Sequence, residues 1–178
     1  TINHNRDTMS MRYQMKDLKD RIKDTLEKYP IYDKNQAIFK AYYNYKSSWD
    51  NMKQRLYNRA YEISNENGYF ITLTYKDEYL PDEKEAYDHM KQWSRTNCEL
   101  FISNIDYGDI NGRIHIHSLC APKENVKLVK SWQYGAINVQ GIQNAKKSVL
   151  YITKLVNHGI KESATHLIRS KKSKKGDQ

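Results

Sequence analysis

The sequence predicts an α+β fold: an antiparallel sheet with helices packed on it, preceded by an N-terminal helical arm. Two observations predict it. Apolar residues recur at steps of three and four through the first 65 residues, and from residue 69 they alternate instead. The order of patterns after that change is strand, helix, strand, strand, strand, helix, too few crossovers for a parallel sheet.

Each element has its own signature. Met11, Met15, Leu18, Ile22 and Leu26 mark a first helix, which Pro30 ends; Asp33 is placed to cap the next. Ile38, Ala41, Tyr45, Trp49, Met52, Leu56, Ala60 and Ile63 form its apolar stripe, and Asn65-Glu66-Asn67-Gly68 closes it. Tyr42, Tyr43 and Tyr45 have rings that could stack on bases, but at helical spacing half-buried packing is expected of them. Tyr69–Tyr75 (YFITLTY) is β-branched, aromatic and alternating, as a strand is. A helix over 82–96 follows, with Ala86, Met90 and Trp93 on one face. Strands over 99–106 and 113–121 flank a hairpin loop at Gly108-Asp109-Ile110-Asn111-Gly112. A strand over 136–142 and a helix over 144–156, capped by Asn144, complete the pattern. The expected domains are an arm over 1–67, a core over 68–160 and a basic tail over 161–178.

Charge is unevenly placed. Residues 1–121 balance 18 basic against 18 acidic side chains, whereas residues 122–178 carry 12 against 3 and so hold the entire excess of +9. An excess confined to one region points to a polyanionic partner. No run of 18 apolar residues and no signal segment is present, so neither a membrane span nor secretion is expected. Cys98 and Cys120 have no metal-like spacing; reduced thiols and a cytoplasmic location are the expectation. No P-loop occurs, so no nucleotide-driven motor is encoded here.

The chemistry concentrates in two places. His115-Ile116-His117 lies on an alternating strand, which puts both imidazoles on one face, one pleat apart. Asp106 lies across the hairpin and can face the same side; Asp109 competes with it. Two imidazoles and a carboxylate suit Mg²⁺ or Mn²⁺ acting on a phosphate. On the last helix Lys147, Tyr151, Lys154 and His158 follow steps of four, three and four and share one face. Ala145, Val149, Ile152 and Val156 form a separate face that seats the helix. Tyrosine in a cationic stripe is a candidate nucleophile toward phosphate, because nearby cations favour the phenolate.

These residues resemble the HUH endonucleases, whose strand with two histidines around a hydrophobic residue serves a metal and a helix-borne tyrosine. Phe70-Ile71-Thr72-Leu73-Thr74-Tyr75 is similar to the first motif of their single-tyrosine rolling-circle replication initiators. The continuation Lys76-Asp77-Glu78-Tyr79-Leu80-Pro81 looks most like initiators of gokushovirus-type microphages and small plasmids. Asp106-Tyr107-Gly108 with Gly112-Arg113-Ile114-His115-Ile116-His117 resembles the second motif, with Asp106 where family members often carry Glu. Tyr151-Ile152-Thr153-Lys154 resembles the third. The resemblance spans about residues 60–160 and implies a ferredoxin-like nuclease core that nicks single-stranded DNA or an origin hairpin. It implies His115, His117 and Asp106 as ligands of Mg²⁺ or Mn²⁺, Tyr151 as nucleophile and Lys154 as its helper. Lys147, Arg113, Thr72, Thr74 and His158 are then the candidate contacts to nucleic acid, and helicase and polymerase come from the host. Alternatives of the same chemistry are a single-strand transposase or a relaxase. Transposases of this type usually place glutamine where Lys154 stands, and many relaxases place the histidines after the tyrosine. A non-cutting DNA-binding protein is the alternative of a different class.

Overall fold

A computed structural model describes residues 18–108, 112–153 and 167–170. These divide into two compact units, residues 18–55 in one and residues 56–108, 112–153 and 167–170 in the other.

In the first unit, residues 18–28 form helix α1. Helix α2, Lys34–Asn65, begins on a reciprocal cap: Gln36 N–H donates to Asp33 Oδ1 (2.8 Å) and Asp33 N–H to Gln36 Oε1 (3.0 Å). Ala41 is buried as the stripe predicts. Tyr42 and Tyr43, expected half-buried, are exposed instead, while Tyr45 is half-buried under the Arg21 guanidinium. The α2 residues Leu56, Ala60 and Ile63, in the second unit, are buried. After α2 the chain turns through Asn67 (φ 54°), and Gly68 N–H donates to Ile63 O at 2.9 Å. A Cβ on Gly68 would strike Ile63, so glycine is required at that close approach.

The second unit holds the sheet. Its strands are β1 Tyr69–Tyr75, β2 Cys98–Tyr107, β3 Ile114–Pro122, β4 Gly135–Gly141 and β5 Ile168–Arg169. Their order is β4-β1-β3-β2-β5, with every neighbouring pair antiparallel. Helix α3, Glu83–Asn97, is capped by Asp82, whose side chain accepts from Glu85 N–H; α4, Ala145–Thr153, is capped by Asn144, which accepts from Lys147 N–H. The α+β class and the antiparallel sheet are as the sequence predicts. Strand β5 is an addition: it pairs with β2 inside the stretch expected to be a tail, and Ser170 N–H donates to Phe101 O.

Strand alternation divides the sheet into two faces. Ile71, Leu73, Ile105 and Ile116 lie on one with α3's Ala86, Met90 and Trp93, and all are buried in one apolar cluster. Within this face Ser94, Ser103 and Ser118 hydrogen-bond in a chain (2.7 and 2.8 Å), satisfying three hydroxyls that burial would otherwise strand. The expectation of reduced thiols is corrected here: Cys98 and Cys120 form a disulfide, their Cα atoms 5.7 Å apart. A register shift between Cys98 and Leu100 on β2 accompanies this pairing with β3, and spacing along the chain gives no hint of it.

Candidate nucleic-acid processing site

The opposite face carries the histidines. Register sets Thr72 and Asn104 on either side of His117, and Thr74 and Asp106 on either side of His115, so all six side chains share one face. Each imidazole is held by a threonine: Thr72 Oγ1 lies 3.2 Å from His117 Nδ1 and Thr74 Oγ1 lies 3.4 Å from His115 Nδ1. Thr72 and Thr74, expected at nucleic acid, therefore also set the angles of the two rings. Asp106 Oδ2 reaches His117 Nε2 at 3.3 Å. Burial, the neighbouring His117 and Arg113 push the His115 pKa below the ordinary histidine range, against the opposing pull of Asp106, so its ring is biased toward the neutral form that ligates metal.

Among the described residues no three His, Cys, Asp or Glu side chains converge as a ready-made metal cage. The donor set still fits a hard divalent ion. Hydrogen bonding of both rings through Nδ1 directs their Nε2 atoms to a ligand's position, and a carboxylate already stands at one of them. The third observation is Gly108, where a Cβ would sit 3.2 Å from His115 Nε2; glycine leaves that side of the ring open. Asp109, the competing carboxylate, lies outside the described residues.

Helix α4 brings the tyrosine over this face. Ala145, Val149 and Ile152 are buried as its apolar stripe predicts, and Asn104 Nδ2 donates to Ile152 O at 2.9 Å, tying the helix to β2. Tyr151 is half exposed; its ring meets His117 edge-on at 5.4 Å and Phe70 at 6.0 Å. Lys147 is exposed on the same helix. Lys154, His158 and Val156 lie outside the described residues. Arg113 is committed elsewhere: its guanidinium donates to Tyr75 O (3.0 Å) and pairs with Asp77 (2.6 Å).

Three participants escaped the sequence reading. Phe70 touches both His117 and Tyr151, Asn104 fastens α4, and Gly108 opens the side of His115. Alternation back from Asp106 flags Asn104; nothing comparable flags the other two.

An antiparallel sheet with paired histidines, an acidic neighbour and a tyrosine helix defines a protein of the kind that handles phosphodiesters. Residues 68–159, just over half of the chain, match the model of the replication-associated protein family named for ORF2 and the gene-2 protein. The chain belongs to that family, which gives it a role in replication initiation and a DNA partner. No curated protein and no solved structure matches it. No described helix is long and apolar enough to cross a membrane.

Proposed function

We propose that this initiator is an HUH-type endonuclease that nicks single-stranded origin DNA through Tyr151, in the manner of rolling-circle initiators of microphages and small plasmids. The observation that supports this most is Tyr151 standing 5.4 Å from His117, on the sheet face shared by His115 and Asp106. The Tyr151 oxygen attacks the phosphorus, the bond from phosphorus to the 3′ oxygen breaks, and a tyrosine–5′-phosphate ester forms. The phenolic proton passes through solvent to the leaving oxygen, giving the 3′ hydroxyl that primes synthesis. His115, His117 and Asp106 would hold Mg²⁺ or Mn²⁺, which when bound polarises the phosphate. Thr72 and Thr74 fix the rings, Phe70 backs the tyrosine, and Lys147 with Lys154 and His158 draws in the phosphates. The substrate places the reaction in the cytoplasm of a host that supplies helicase and polymerase.

The test is incubation of the full chain with an origin-like single-stranded oligonucleotide and Mn²⁺. A covalent adduct is expected on a denaturing gel, with the nucleotide mapped to Tyr151 by mass spectrometry. Tyr151→Phe keeps the ring and loses the oxygen, so it should bind DNA and form no adduct. An adduct that persists in Tyr151→Phe, or that maps to another tyrosine, overturns the assignment.

A further inference from the structure

A second constellation lies on the α3 side of the sheet. Three rings stack there in a column: Tyr79 on Tyr134 (5.6 Å, 23°) and Tyr134 on His89 (3.9 Å, 18°). The column is braced. Trp132 meets both Tyr134 and His89 edge-on and donates from its indole nitrogen to Thr74 O (3.1 Å), and Tyr75 Oη shares a hydrogen bond with His89 Nδ1 (3.0 Å). His89, the last ring of the column, lines a cleft of about 270 Å³. The cleft walls carry the side-chain amides of Gln92, Asn97 and Gln133, the ammonium group of Lys130, and no carboxylate.

Each part answers a feature of one ligand. A nucleobase has a flat face that adds to a stack of rings, and aromatic platforms of this kind hold unpaired bases. Its edge mixes donors and acceptors, which carboxamides match because each offers both. Its phosphate is anionic, and Lys130 stands at the cleft without an opposing acid in the wall. The neighbouring cleft at Tyr79, Tyr107 and Arg113 makes the contrast. Asp77 lines it, and Glu83 and Glu85 accept hydrogen bonds from Tyr107 and Tyr79, so a phosphodiester strand meets negative charge there.

We propose that the cleft at His89, Gln92, Lys130 and Gln133 is a second nucleic-acid site, which holds one unpaired base of single-stranded DNA. It rests on the family's DNA partner but not on nicking by Tyr151. A base gripped on the α3 side, while the strand is cut on the histidine face, gives the initiator a second reading point on its origin.

The full chain is titrated with a fluorescent single-stranded oligonucleotide, read by anisotropy. Gln92→Ala and Gln133→Ala change exposed side chains, so their folding is not at stake. The double variant should bind about five- to tenfold more weakly, and His89→Ala roughly tenfold more weakly. The nicking rate at saturating DNA should not change in the glutamine variants. With 5-iodouracil placed along the oligonucleotide, one position should crosslink to His89, Trp132 or Tyr134. Unchanged affinity in the glutamine double variant overturns the proposal while the family reading stands. Wild-type protein that binds no single-stranded DNA overturns both. A free deoxynucleotide that competes as well as the oligonucleotide identifies a mononucleotide site and overturns the strand site.

Discussion

The two faces of one sheet are built from the same strands and do opposite things. Ile116 is fully buried against α3, while His115 and His117, its immediate neighbours, point to the face that α4 covers. The α3 face holds large apolar side chains and closes its few hydroxyls among themselves. The histidine face spends its hydrogen bonds on aiming: two threonines on two rings, one carboxylate on a ring, one asparagine on a helix end. Because side chains alternate with a period of two, a slip of one residue would exchange the faces and destroy both. Apolar packing on one side therefore fixes the register that brings the polar groups together on the other.

The sharpest way to break this comparison is to delete adjacent side chains on opposite faces. His117→Ala should abolish adduct formation while leaving the melting temperature and DNA affinity nearly unchanged, since phosphate contacts supply most of the affinity. Ile116→Ala should cost about 2–5 kcal/mol of stability, a melting point lower by roughly 5–15 °C, with the adduct still formed by the folded fraction. Thermal melts and single-turnover gels on the same preparations separate the two. Full Mn²⁺-dependent activity in His117→Ala removes the histidine from the chemistry. A stability loss in His117→Ala equal to that of Ile116→Ala would show that both faces are simply core.

A milder change sharpens the division of labour within the histidine face. Thr72→Val keeps the shape of the side chain and loses the hydroxyl that meets His117 Nδ1. Loss of such an orienting partner typically costs 10–100-fold in metal affinity or activity, so adduct formation should fall by about that factor. Raising Mn²⁺ should restore part of the rate if the ring's aim, and nothing else, was lost. An unchanged rate would mean that packing alone holds the imidazole.

Most of this arrangement was legible in the sequence because it depends on periodicity. The spacing of His115 and His117 puts two imidazoles on one face whatever the sheet does, and the match of Tyr69–Tyr75 to β1 followed from alternation. The unread parts depend on how separate segments meet. Strand β5 is two residues long, too short for any period to register. The Cys98–Cys120 bridge is set by pairing across 22 residues of separation and by a local register shift. Tyr42 and Tyr43 share helical spacing with buried neighbours, and spacing alone does not say how wide the covered stripe is. The carboxylate of Asp106 was placed on the correct face, but its hydrogen bond to His117 Nε2 depends on side-chain torsions that no spacing rule contains.

The smallest expected effect tests whether the acidic rim on the α3 side is independent of the histidine face. Tyr79 donates to the Glu85 carboxylate, and that hydrogen bond, with the desolvation and nearby charges that reinforce it, pushes its pKa from 10.0 up to about 12. A raised tyrosine pKa contributes stability that is fully present below about pH 10 and is lost as pH rises toward 12, because the folded state holds the proton that the unfolded state releases. Glu85→Gln removes the charge and keeps the shape. In an ultraviolet absorbance titration one tyrosine should then ionise closer to pH 10, and the alkaline loss of stability should begin less steeply. At neutral pH the phenol is protonated in both proteins, so nicking should be identical. A titration curve that does not move would show that the carboxylate does not govern Tyr79. A change in nicking at neutral pH would show that the rim and the histidine face are coupled.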